Sequence, residues 1–576
     1  MRFLVYTPVG EGALQEKLGT AEYSYFFVMK GFLPILAELG EVIHVNDPEV
    51  EADPLYRDAV ADGEQCRLVC FCPPNRAPVG LECPTTVVVA WEFDSLPSIP
   101  WDDEQRNDWR TVLADHGNVI SLSTHTRDVV RTAMGEDFPA TAMPVPVFDH
   151  ISDPPADGKQ PIASTTISFR GRQIDSRALD IRPDGVELTD PEAFRSQIYH
   201  GGTVTFTFED GGIGQRYLMG FYNAEPWGAW SRTSEPSVLL PFVVGGKVKM
   251  TMMMQSHGYN VGRTMTISAG GGSADVELVA APKSYTVTLD VQRPTNLVSF
   301  SGLDGRAYPG TFDIRTMGIG LLSLSLREKR GLKGILGGKP QPPTVIDAKP
   351  EQQVELDGVV YTTVLNPQDG RKNWHDIISA FCHAHRDHAD ATLVLKMTHH
   401  AMESFIGEML TDLRVIGQTA CRIVAIHGYL PDEDLRALMA ATSFYVNASR
   451  GEGLCLPLME FMSAGVPAIA PDHTAMADYV AGDTTFVVSS CTEPTAWPND
   501  PLMRITTSYR RIDWSSLADQ FRASYQVATQ DPTRYRDMSR AAVATQAHYS
   551  ADAVVAEQLA RHLQLVDAAE AQQVGS

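Results

Sequence analysis

Short runs of apolar residues recur at both ends of the chain, each separated from the next by a stretch with helical spacing. Near the start these are Arg2–Tyr6, Val42–Val45, Leu68–Phe71, Val87–Ala90 and Val119–Leu122. A run that is apolar throughout belongs to a strand buried on both faces, and the helical stretches between runs supply the covering layers. The same alternation returns in Val359–Leu365, Ala391–Lys396, Arg422–Ile426, Ser443–Val446 and Pro467–Ala470. Helix patterns at Trp374–His385, Asp432–Ala441 and Leu458–Ala464 separate these strands, and residues 551–566 form a closing helix. Parallel sheets covered on both sides are expected at each end.

These readings give a Rossmann-like domain over residues 1–155 and another over 356–576, the last helix placed to pack back on the first domain. Between them the periodicity changes to two. Thr203–Phe208, Lys247–Met252, Thr264–Ile267 and Tyr285–Leu289 alternate apolar and polar residues, with turn signals at Asp210-Gly211-Gly212 and Gly270-Gly271-Gly272. Such a pattern predicts an all-β sandwich or jelly roll inserted at 156–330. Gly- and Pro-rich residues 331–355 read as a linker.

The length of 576 residues accommodates these domains, and the net charge of −24 argues against general binding to nucleic acid, which needs a basic footprint. No apolar run reaches about 18 residues without a charge, so no membrane span is expected. The first residues lack the apolar core of a secretion signal, and eight cysteines in so long a chain make no disulfide framework. A cytoplasmic protein is expected. The basic run 327–339 reads as a solvated linker, or else as a peripheral contact with the anionic inner face of the plasma membrane.

The sharpest motif is Glu452-Gly453-Leu454-Cys455-Leu456-Pro457-Leu458-Met459-Glu460. A strand ends near Asn447, a glycine loop follows, and Pro457 marks a helix start, a position that tolerates proline. The backbone N–H groups of Gly453, Leu454 and Cys455 would then face an anion such as a pyrophosphate. Carboxylates at Glu452 and Glu460 beside an anion site suit sugar or ribose hydroxyls, for which they are strong acceptors. A carboxylate complementing a helix dipole is the plainer reading.

This segment resembles the E-x(7)-E signature of retaining glycosyltransferase family 4, of GT-B fold, written E-G-F-G-L-P-x-x-E-A-M-A-x-G-x-P. Leu454, Cys455 and Phe461 depart from it. The resemblance implies that Glu452 sits by the donor sugar and Glu460 by the nucleotide ribose. It also implies a cation for the leaving diphosphate at Lys372, eight residues before Ala380. A second family cation is missing at Asn366-Pro367, and Arg371 is placed to compensate. Gly428 and Tyr429 match the turn that meets the nucleobase, and Gly19 the loop facing donor and acceptor. Glu92, after the strand Val87–Ala90, is the candidate for contacting the acceptor hydroxyl, at the sheet edge where ligands bind in α/β folds. The family needs no metal or other cofactor.

Two further features have competing readings. His383-Ala384-His385-Arg386-Asp387-His388 has the spacing of a metal motif but lies at a helix end rather than after a strand, so no metal site is expected. In the middle region, Trp227 and Trp230 are either core residues or faces for stacking on a glycan. The implied function is transfer of a hexose from a GDP- or UDP-sugar to a glycan or lipid-linked acceptor in bacterial polysaccharide biosynthesis. The alternative is a non-catalytic glycan-binding or scaffold protein on a degenerate fold.

Overall fold

The structure, a computed structural model, describes residues 1–9, 23–100, 104–151, 156–162, 164–170, 172–182, 185–188, 203–209, 217–222, 224–306, 315–328, 351–398, 403–428, 430–497 and 503–574. They fall into two compact units: Met1–Arg170, Gln352–His400 and Ala425–Ser576 in one, Gly171–Glu351 and Ala401–Val424 in the other.

The first unit begins with strands β1 (Arg2–Tyr6), β2 (Glu41–His44), β3 (Cys66–Phe71), β4 (Thr85–Val89), β5 (Val119–Ser121) and β6 (Ala140–Ala142). They form one sheet in the order β2-β1-β3-β4-β5-β6, and every pair is parallel. Each residue of β3 and β4 is buried, as unbroken apolar runs require. Helices α1 (Tyr23–Leu39), α2 (Pro48–Ala61), α3 (Trp109–His116) and α4 (Thr124–Met134) make the crossovers. Local chemistry sets their ends. The Ser123 hydroxyl accepts the Thr126 N–H to start α4, and Gly117, at φ +68°, closes α3.

The second unit holds β7 (Val204–Thr207), β8 (Ser237–Ser256), β9 (Thr264–Ala269), β10 (Gly272–Glu277), β11 (Lys283–Ser301) and β12 (Ile319–Glu328). Their order is β7-β12-β8-β11-β9-β10, and the pairs are antiparallel. Period-2 patterning carries the core: Val248, Met250, Met252 and Met254 of β8 are fully buried. They pack with Met265 and Ile267 of β9, Leu289 and Phe300 of β11, and Leu324 and Leu326 of β12. What is observed is one curled antiparallel sheet. Strands β8 and β11 span 20 and 19 residues, and their register shifts at Leu239, Val244 and Gly246. Bulges of this kind bend a strand, so one sheet wraps around its own core. Of the short segments read from the sequence, Lys247–Met252 and Tyr285–Leu289 are parts of these long strands, while the other two fall on the short strands β7 and β9. The turn at Gly270 and Gly271, both at positive φ, joins β9 to β10. The turn at 210–212 and most of the 331–355 linker lie outside the described residues.

The first unit resumes with β13 (Val359–Leu365), α5 (Trp374–Ala384), β14 (Ala391–Met397), β15 (Arg422–His427, of this unit from Ala425), α6 (Asp432–Ala441), β16 (Phe444–Val446), α7 (Leu456–Ser463), β17 (Ala468–Ala470) and β18 (Thr485–Val487). The sheet order is β18-β17-β16-β13-β14-β15. Tyr361 of β13 centres the core, 5.5 Å from Phe381, 5.5 Å from Phe444 and 5.3 Å from Phe521 between ring centroids. The first strand, β13, has β14 on one side and β16 on the other. The chain thus reverses its direction of build across the sheet at β13 and β16. Loops leaving the carboxyl ends of these two strands diverge and leave a crevice, the place where ligands bind in open α/β sheets.

After β18 come an antiparallel hairpin, β19 (Ser490–Ala496) and β20 (Thr506–Ile512), and helices α8 (Trp514–Gln530), α9 (Pro532–Ser550) and α10 (Asp552–Val574). The hairpin and α8–α9 are absent from the sequence reading. Helix α10 touches the first sheet: His562 Nδ1 lies 2.9 Å from Thr141 Oγ1, and Arg67 lies 3.4 Å from Asp567. Among the described residues no helix is long and apolar enough to cross a membrane.

Candidate functional site

The two loops at the crevice carry the charged residues. After β13, Asp369 Oδ1 accepts the Arg371 N–H at 3.3 Å and its carbonyl accepts the Lys372 N–H at 2.9 Å. This tight turn presents Arg371 and Lys372 side by side, and Asn373, at φ +53°, reverses the chain into α5. After β16, residues 447–455 run to α7. The loops are joined through backbone, since the Arg450 N–H donates to the Arg371 carbonyl at 2.8 Å.

Glu452 is 3% exposed and carries four donors. Lys372 Nζ lies 2.6 Å from Oε1, Ser449 Oγ donates to the same oxygen at 2.6 Å and Asn447 Nδ2 at 3.2 Å, while an Arg371 terminal nitrogen lies 3.3 Å from Oε2. Burial on its own would raise this carboxyl. The charges of Lys372 and Arg371 and the hydrogen bonds outweigh it and hold the group at about 2, so Glu452 is ionised at neutral pH.

Arg371 meets three carboxylates. Its Nε lies 3.0 Å from Glu92, its other nitrogens 3.0 Å from Asp369 and 3.3 Å from Glu452, and it also donates to the Gly451 carbonyl at 2.8 Å. Burial opposes the guanidinium charge, but the three carboxylates reverse that effect and raise its pKa. Glu92 follows β4, so the Glu92–Arg371 pair joins the two parallel sheets. Burial shifts the Glu92 carboxyl upward, against the pull of Arg371.

The glycine loop fits closely against the end of β4. A Cβ at Gly453 would lie 2.8 Å from the Trp91 nitrogen and 2.9 Å from Ala90 Cβ, and one at Gly451 would lie 3.0 Å from the Glu92 carbonyl. The Trp91 nitrogen and Ala90 Cβ leave no room for a side chain at Gly453, and Gly451 is nearly as tightly held. Leu454 is buried and its carbonyl accepts from Tyr479 at 2.7 Å. Cys455 adopts φ +66°, the left-handed region that glycine occupies without strain. Its thiol, pushed up to about 12 by burial and then by Glu452, is protonated. Among the described residues no acceptor takes the N–H of Gly453, Leu454 or Cys455.

Glu460, on α7, forms no ion pair among the described residues. Burial, then Asp432, pushes its carboxyl up to about 7. Glu92, Asp369, Arg371, Lys372, Glu452, Gly453, Leu454, Cys455 and Glu460 all line one cavity of about 1500 Å³.

The remaining expected residues stand apart. Gly428 ends β15 at φ +153°, outside the cavity lining, which resumes at Leu430. Tyr429 and Gly19 lie outside the described residues. Trp227 and Trp230 belong to the other unit, half-buried, their rings 5.2 Å apart and outside the apolar core cluster. Trp227 donates to Glu225 at 2.8 Å, and Glu225 also takes Arg315 at 2.8 Å. The His383–His388 motif is spread around α5. His383 packs on Trp514, while His385 and His388 face each other at 3.2 Å. Among the described residues no group of three His, Cys, Asp or Glu is placed to hold a metal.

Asp369, Asn447 and Ser449 were missed as site residues. Their signal was position alone, each following a buried strand at its carboxyl end.

Residues 358–499 match the family described as glycosyl transferases group 1. The matched segment holds Arg371, Lys372, Glu452 and Glu460. Residues 195–328, a range that includes the described strands β7–β12, match a domain of unknown function (DUF7024). A stretch of 60 residues is 45% identical to O-antigen chain mannosyltransferase B of Escherichia coli, covering 10% of this chain and 16% of that protein. Among solved structures, Anabaena HepE in complex with UDP and glucose is 14% identical, with 36% of this chain and 48% of that one covered at a TM-score of 0.27. Sucrose-phosphate synthase from Thermosynechococcus elongatus is 17% identical over 37% of this chain and 46% of its own, also at 0.27. The chain thus spans less than half the length of each of these relatives.

Proposed function

We propose that the chain is a retaining, metal-independent glycosyltransferase of GT-B architecture that moves a hexose from a UDP- or GDP-sugar to a glycan or lipid-linked acceptor in polysaccharide assembly. The observation that carries this reading is the 2.6 Å pair of Lys372 and Glu452, at the crevice of a parallel sheet, in a cavity that also holds Glu460. The glycosyl transferases group 1 match over that segment supports it, and the short mannosyltransferase similarity favours a hexose and a polysaccharide pathway.

In this reading the donor diphosphate lies over the N–H groups of Gly453, Leu454 and Cys455, with Lys372 at the leaving oxygen. Charge builds there as the sugar bond breaks, and a fixed cation stabilises it. Ionised Glu452 accepts from donor-sugar hydroxyls and Glu460 from the ribose. Glu92 and Arg371 set the approach of acceptor side to donor side. The acceptor proton passes to the departing phosphate on the same face, so no protein nucleophile is used. The unit with the curled sheet positions the acceptor, and Trp227 and Trp230 stack on its sugars. The protein works in the cytoplasm, with residues 327–339 touching the anionic membrane face.

The test is incubation of the purified chain with UDP- and GDP-hexoses, following release of nucleoside diphosphate with and without glycan acceptors. Absence of turnover and of nucleotide binding across the panel would favour the scaffold reading.

A further inference from the structure

We infer that Arg450 is the second cation that holds the diphosphate, a role that Arg371 is too heavily engaged to fill. This rests on the glycosyltransferase reading above and deepens it.

Formal charges at the loop junction leave no surplus of cation. Glu92, Asp369 and Glu452 supply three carboxylates against Arg371 and Lys372. A diphosphate entering beside this cluster meets net negative charge, so Lys372 alone does not favour it. Arg371 makes its contacts within the protein, to three carboxylates and to the Gly451 carbonyl. Releasing it would leave half-buried Glu92 and Asp369 without their counter-ion and buried Glu452 with Lys372 alone, which is costly.

Arg450 differs in each respect. It immediately precedes the glycine loop, and it lines the same cavity as Lys372 and Glu452. Among the described residues no carboxylate pairs with it. Its guanidinium lies over the Tyr509 ring at 5.4 Å, and its Nε is buried without a hydrogen-bond partner. A buried N–H with nothing to donate to is costly, and an arriving oxyanion satisfies it. The backbone fixes its base at both ends, through Arg450 N to Arg371 O at 2.8 Å and Arg510 N to Arg450 O at 2.8 Å. Tyr509 in turn donates to Glu493 at 2.8 Å, across the β19–β20 hairpin. The side chain is therefore aimed by packing, and its charge is not neutralised. Planar guanidinium groups suit phosphate oxygens, which they bind in pairs.

The experiment is calorimetric titration of the full chain with inorganic pyrophosphate, UDP, GDP, uridine and guanosine. Wild type is expected to bind a nucleoside diphosphate more tightly than its nucleoside. R450A should weaken pyrophosphate and that diphosphate roughly tenfold or more, the size of a lost charge-assisted hydrogen bond, and leave the nucleoside unchanged. R450K should recover part of the loss. R450Q keeps the stem over Tyr509, and it covers the case in which R450A fails to fold. A wild-type chain that binds none of these ligands would overturn the glycosyltransferase reading itself. Wild-type binding with diphosphate affinity unchanged in folded R450A and R450Q would overturn only the role of Arg450. A rise in acceptor KM without loss of diphosphate affinity would do the same, moving the anion to the acceptor.

Discussion

Glu92 Oε1 lies 3.0 Å from Arg371 Nε, an ion pair between the end of a strand in the first parallel sheet and a turn in the second. Side chains more than 270 residues apart in sequence thereby meet at the wall of one cavity. The pair gives the crevice a fixed geometry, and its loss should be felt in stability as well as activity. E92Q should lower the thermal midpoint by roughly 2–6 °C, the effect of about 1–3 kcal/mol in a domain of moderate size. In a double-mutant cycle with R371Q the losses should be non-additive by more than about 0.5 kcal/mol. Additive losses would show that the two side chains do not act as a pair.

Lys372 offers a kinetic test. K372A should lower turnover about ten- to a hundredfold, since a hydrogen bond to a charged group contributes about 1.5–3 kcal/mol. Transfer should persist in excess EDTA, because the cations proposed at the leaving group are side chains. Activity abolished by EDTA and restored by Mg²⁺ would contradict the mechanism.

Glu460 makes the pH dependence specific. Its folded pKa, about 7, lies above that of a carboxyl in the unfolded chain. Between about pH 4.5 and 7 the folded state therefore holds a proton that the unfolded state has released, and stability falls as pH rises through that window. E460Q should flatten this slope between pH 5 and 8. If ionised Glu460 accepts from a ribose, nucleotide affinity should rise as pH passes about 7 in wild type and stay level in E460Q. A difference between the wild-type and E460Q thermal midpoints that stays constant from pH 5 to 8 would remove the shift.

Cys455 invites a backbone test. At φ +66° a side chain costs about 1–2 kcal/mol that glycine avoids. C455A and C455G both lose the thiol, and only C455G relieves the backbone. C455G should therefore have the higher thermal midpoint of the two, and the reverse order would refute the strain.

The sequence by itself determined five strands of each parallel sheet, because a buried strand must be apolar throughout, but not the three-residue edge strands Ala140–Ala142 and Thr485–Val487, which are too short to carry a pattern. A glycine loop followed by a proline at a helix start marked Glu452 and Glu460, the family resemblance pointed to Lys372, and the fold brings all three to one cavity. The sequence did not reveal the 20-residue strand Ser237–Ser256, since a bulge changes register without changing the alternation on either side. Nor did it reveal the Ser490–Ile512 hairpin, whose Trp497 is buried 6.0 Å from Trp91. That burial is a contact between distant segments, with no local period to mark it. Only the tertiary structure decided that Arg371 is spent on Glu92, Asp369 and Glu452 while Arg450 is left facing the cavity. Both are arginines on polar loops, and local sequence is blind to which carboxylates the fold brings within 4 Å of each.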